Sequence, residues 1–247
     1  MRGAHSARRF AAAVAIAFVQ GAAVATPGAS PTLTPRWAEV EILAAANGVR
    51  LIIDRRAVDY GGTSVTVFSP KQGDRFRRFC RLRLPATELL SNDLRILEVE
   101  AIVPGTWVRL RDRFADDLAI HEAAHCLDPL FFEDGHGYHQ REAYADAVMA
   151  ILMLAEGRAD ALRAFADLRR VSVPEYLFSS AALLDALLGA ADMGELAGSF
   201  ERVTGVSLAA ATMTHAMRYA SVLKAAPGWP ALFGEGSLPR VALSSGR

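Results

Sequence analysis

The residues with the most chemical potential lie in one short run, His121-Glu122-Ala123-Ala124-His125. Residues 114–127 read as a helix, and on a helix positions four apart share a face. His121 and His125 can therefore aim their imidazoles at one point, with Glu122 projecting at the edge of that face. Two neutral nitrogen ligands and an adjacent carboxylate suit hydrolysis at a zinc ion, the carboxylate serving as general base for an activated water. A catalytic site of this kind needs a third protein ligand and keeps one position open.

Three candidates for that ligand follow the run. A second predicted helix, residues 138–156, contains Glu142-Ala143-Tyr144-Ala145-Asp146, whose two carboxylates again stand four apart. Glu142 reaches the metal if the two helices pack together. Asp146 could then accept the second ring N–H of a ligating histidine, which fixes its tautomer. Asp128 stands three residues after His125 but abuts Pro129, and better suits the end of the helix. His136 and His139, in Gly135-His136-Gly137-Tyr138-His139, could act from a loop, although exposed loop histidines are common. Of the three, Glu142 is the preferred third ligand. The helical residues His215, Tyr176 and Tyr219 are weaker candidates for polar helpers.

The pair of motifs, HExxH followed by ExxxD, resembles the gluzincin metallopeptidases over about residues 114–150, roughly a seventh of the chain. The resemblance implies that His121, His125 and Glu142 bind zinc, that Glu122 is base and proton shuttle, and that Asp146 supports His121. It also implies a zincin-like α+β fold: an N-terminal mixed sheet flanking the active-site helix, then a mainly helical lobe, with a peptide or protein substrate between them. The metzincin spacing, which would need Gly at Asp128 and His or Asp at Phe131, is absent.

The elements that must position these groups are legible to different degrees. Residues 36–46 read as a helix stopped by Asn47-Gly48. Strands are expected at 49–53, 64–68, 77–84 and 94–103, with a short extra one at 107–110. Alternating Arg81 and Arg83 would then lie on a half-solvated sheet face opposite Glu98 and Glu100. Beyond residue 114 the pattern is helical, with further helices at 159–170, 174–190, 195–203 and 208–225. The expected division is a catalytic core over 36–157 and a helical lobe over 158–247.

Ahead of these elements, Arg2, Arg8 and Arg9 precede an apolar run and then Ala23-Val24-Ala25, the order of an export signal over residues 1–25. Residues 26–35 read as a linker. The signal holds three of the 27 basic residues and none of the 27 acidic ones, so the remainder carries minus three. That balance argues against a nucleic-acid partner. The expected location is periplasmic or secreted, with no membrane span after signal removal. Cys80 and Cys126 either pair in an oxidising compartment or stay as two buried thiols. Three functions fit: an exported zinc peptidase, a zinc hydrolase acting on cell-wall peptides, or a zinc-stabilised envelope scaffold that cleaves nothing.

Overall fold

The computed structural model describes residues 35–54, 64–68, 76–84, 90, 94–128, 138–171 and 180–226. The export signal, residues 26–34 of the expected linker, His136 and Tyr176 lie outside the described residues, as does the expected helix start at Pro174, whereas Pro35 opens the first helix instead of ending the linker. Among the described residues no helix is long and apolar enough to cross a membrane.

The fold is mixed α+β, with one small sheet and mostly helix. Helix α1 (Pro35–Ala46) leads through Gly48 into β1 (Val49–Asp54), followed by β2 (Ser64–Phe68) and β3 (Arg78–Arg83). Gly48 has φ +68°, the left-handed turn that lets the chain leave the helix. The sheet order is β1-β3-β2, with β1 parallel and β2 antiparallel to the central strand. On β3 the side chains alternate: Cys80 and Leu82 are buried, whereas Arg81 and Arg83 are exposed, so those two arginines occupy the solvated face.

The next segment differs from the expected strands. Residues 94–103 and 107–110 form helices instead, α2 (Leu94–Ile102) and α3 (Thr106–Leu110). The apolar residues of α2 follow a helical spacing, with Ile96 and Val99 buried and Leu97 and Ile102 exposed. Its β-branched content misleads because strand preference reflects context more than backbone. The Glu100 carboxylate accepts the amides of Gly105 at 2.6 Å and Trp107 at 2.8 Å, satisfying the open N-terminus of α3. These amides hold Glu100 below the usual carboxylate range. The expected pairing of Glu98 and Glu100 with the β3 arginines across a sheet therefore does not occur.

Helix α4 (Phe114–Leu127) lies against β2 and β3 and packs along α5 (Tyr138–Ala155). Around them stand α6 (Ala159–Val171), α7 (Ala181–Asp192), α8 (Glu195–Thr204) and α9 (Met213–Ala225), the last preceded by a 3-10 turn at Leu208–Ala210. The expected helix over 208–225 is thus split at residues 211 and 212. Helix α5 touches α4, α6, α7 and α9, and every residue from Ala143 to Met153 is at most 3 % exposed. A helix covered on all sides is the centre of the core rather than a surface element. Its alanines (Ala143, Ala145, Ala147, Ala150) let the neighbours come close. One hydrophobic cluster runs from Trp37 to Leu223 through both the sheet side and the helical side.

Candidate metal centre

His121 and His125 stand one turn apart on α4 and are almost completely buried. Helix α5 brings Glu142 against them and, one turn deeper, Asp146. The two Nε2 atoms lie 3.1 Å apart. The Glu142 carboxylate places Oε2 3.4 Å from His121 Nε2 and Oε1 3.3 Å from His125 Nε2. Among the described residues, His121, His125 and Glu142 form a group whose ligand atoms all lie within 4.8 Å of one another.

These distances test whether a metal fits. Zinc bonds of roughly 2.0–2.1 Å in tetrahedral directions put neighbouring ligand atoms about 3.3 Å apart. The two Nε2 atoms, 3.1 Å apart, approach that spacing, and each faces a different oxygen of Glu142, at 3.4 Å for His121 and 3.3 Å for His125. The donor set also matches, being two imidazoles and a carboxylate in the composition of a hydrolytic zinc site.

Electrostatics point the same way. Two imidazole nitrogens and a carboxylate converging in a buried place need a positive charge among them. In the protein alone a proton supplies it: burial pulls His121 down, but Asp146 and Glu142 outweigh it and push it up to about 10. Burial likewise raises Glu142, and the two imidazoles reverse this, holding it far below the carboxylate range. A divalent cation would replace the proton at the same spot, so metal and proton compete.

His121 Nδ1 lies 2.8 Å from Asp146 Oδ1. The approach is an ion-pair contact rather than an aligned hydrogen bond; a carboxylate beside Nδ1 favours a proton there, which would leave Nε2 as the nitrogen for a metal. Asp146 is itself fully buried and has two further partners. Arg169 Nη2, from α6, donates to Oδ1 at 2.7 Å, and the Ser180 hydroxyl donates to Oδ2. Arg169 and His121 hold the Asp146 carboxyl below its usual range against the opposing effect of burial. Glu122 follows His121 on α4 and is 7 % exposed.

Several residues weighed from sequence have other work. The Asp128 side chain pairs with Lys224 at 3.0 Å, and its backbone ends α4. His215 Nδ1 accepts the Thr212 amide at 3.3 Å at the start of α9. Tyr219 donates to Ser199 at 3.0 Å inside the helical side. Of His139 only the backbone, in the first turn of α5, is described. Arg169 and Ser180 are the residues that sequence reading missed. Arg169 does carry a signal: it falls on the stripe of Leu162, Phe165 and Leu168, the buried face of α6.

The end of α4 is anchored to the sheet. Cys80 and Cys126 form a disulfide with Cα atoms 5.8 Å apart, joining the central strand to the residue beside His125. Arg78 Nη1 donates to the carbonyls of Cys126 and Asp128, each at 2.8 Å. A cation at the carbonyl end of a helix also suits its dipole.

Compared with known proteins, the chain matches no family model, no curated protein and no solved structure.

Proposed function

We propose that the chain is a zinc-dependent peptidase of the gluzincin type, exported to the periplasm or beyond. The observation that carries this reading is the convergence of two Nε2 atoms 3.1 Å apart and the Glu142 carboxylate, whose two oxygens lie 3.3 and 3.4 Å from them, supplied by an HExxH helix and the helix packed against it. The placement of α4 between a mixed sheet and a helical side supports a zincin-like plan.

His121, His125 and Glu142 would hold the ion, and Asp146 would orient His121. Bound zinc would supply Lewis acidity toward a peptide carbonyl and bring the pKa of a water near neutrality. Glu122 is the group whose sequence position suits taking a proton from that water and returning it to the leaving amine. A purely structural zinc site is closed by four protein ligands. Among the described residues three donors gather here, the number that a hydrolytic zinc site takes from the protein.

The test is Glu122→Gln. Zinc content should stay stoichiometric while hydrolysis of a broad peptide library falls by about two to four orders of magnitude, the usual contribution of a general base. Hydrolysis at the wild-type rate would overturn the mechanism. Cleavage of peptidoglycan fragments but not of unfolded protein would move the substrate to cell-wall peptides. Stoichiometric zinc without any hydrolysis in the wild type would leave a scaffold role.

A further inference from the structure

Helix α6 contains two adjacent arginines with different surroundings. Arg170 is half exposed and pairs with Asp167 and Asp185 at the surface. Arg169 turns inward, its guanidinium carbon 5.0 Å from the centre of the Phe165 ring. Its Nη2 lies 2.7 Å from Asp146 Oδ1 and 3.5 Å from Glu142 Oε2. One nitrogen thus touches both the carboxylate that orients His121 and the carboxylate that would bind metal.

We propose that Arg169 is a positioning residue of the metal centre: it ties Asp146 and Glu142 Oε2 to one fixed point and so sets both the His121 ring and the way Glu142 meets the ion. The inference rests on the metal reading above. Two geometric facts support it. Asp146 Oδ1 is shared between His121 Nδ1 and Arg169 Nη2, so the guanidinium decides where that oxygen sits when the imidazole uses it. Glu142 Oε2 faces Arg169 as well as His121, so the carboxylate is restrained from swinging both oxygens equally onto one ion. A Glu held by one oxygen preserves the open position that a hydrolytic site needs. The guanidinium also lies over the Phe165 ring, and a compact ammonium on a flexible stem would not reproduce this contact together with both carboxylates.

The experiment compares wild type, Arg169→Gln, Arg169→Lys and Arg170→Ala by zinc affinity in a chelator competition and by the visible spectrum of the cobalt(II) form. Coordination number and geometry set that spectrum. Arg169→Gln should lose about 10- to 100-fold in affinity, as outer partners of metal ligands do, and its cobalt spectrum should shift. Arg169→Lys should lose less but shift the spectrum too, and Arg170→Ala should match wild type in both. A structural role alone would lower the melting temperature of the metal-free protein and leave the cobalt spectrum unchanged. Wild-type affinity and spectrum in Arg169→Gln would overturn the inference. If that variant does not fold, Arg169→Lys is read by the same criteria, and unchanged values there overturn it. Failure of the wild type to bind zinc or cobalt would instead sink the metal reading, and this inference with it.

Discussion

The two ends of the α4–α5 helix pair both bury acidic groups, and they treat them in opposite ways. At the start of α4, Arg158 grips Asp117 with two contacts of 2.7 Å. Beside it, Glu156 at the end of α5 meets Arg36 at 2.6 Å and Arg113 at 2.8 Å. Each acid there faces permanent cations. At the other end, Glu142 and Asp146 share one guanidinium, Arg169, and face imidazole nitrogens, with the Ser180 hydroxyl also on Asp146. Burial raises the Asp117 carboxyl in spite of Arg158, whereas Asp146 is lowered because His121 adds to Arg169. Arginine end to end makes a fixed brace. Histidine in place of arginine makes a site whose positive charge is exchangeable, a proton that a metal ion could replace.

That contrast can be broken at several points. The largest expected effect is on the anchor of the metal end. Replacing Cys80 and Cys126 together by Ala opens a loop with a sequence separation of 46, and loop-closure entropy puts the cost at about 4 kcal/mol. Denaturant unfolding measures the total. Native-state hydrogen exchange should show the added opening at 121–127 more than at the start of α4, and uniform opening would mean the two ends are not separately held.

Next is Asp117→Ala, which leaves the half-buried Arg158 with only Glu156 and should cost about 2 kcal/mol. Zinc stoichiometry should not change. Loss of metal in this variant would show that the brace and the metal site are one unit. Asp146→Asn keeps the shape but weakens the hold on His121, and should lower zinc affinity by about 10- to 100-fold, read by chelator competition.

The smallest effect is on pH dependence. The folded-state pKa of His121 is raised to about 10 from an ordinary 6.5. Its contribution to the metal-free protein is therefore fully present below pH 6.5 and is lost as pH rises toward 10. On the proposed exchange of that proton for zinc, the rise in melting temperature on adding zinc should grow between pH 6 and about 9. An increment that shrinks over this range would contradict the exchange of proton for metal.

The metal-end constellation was legible in sequence because it depends on local spacing. His121 with His125, and Glu142 with Asp146, each need only one helical turn to share a face, and the structure brings them together. What escaped depends on partners distant along the chain. The run Leu94-Arg95-Ile96-Leu97-Glu98-Val99-Glu100 serves a strand as well as a helix until Glu100 meets the amides of residues 105 and 107. Arg169 and Arg170 look alike side by side, and only the apolar stripe of α6 separates the inward one from the outward one. The two cysteines admitted pairing or two thiols, and only the closeness of β3 to the end of α4 decides for the disulfide.

The complete covering of α5 from Ala143 to Met153 has a thermodynamic consequence. Glu142 and Asp146 ride on the element around which the core condenses, so an opened chain has no way to retain the ligand geometry. A metal bound there is a ligand of the folded form alone, and each tenfold rise in free ion above its dissociation constant adds about 1.4 kcal/mol to the unfolding free energy. If the site is occupied as proposed, occupancy and foldedness become one coupled equilibrium, and free metal adds to the persistence of the described core.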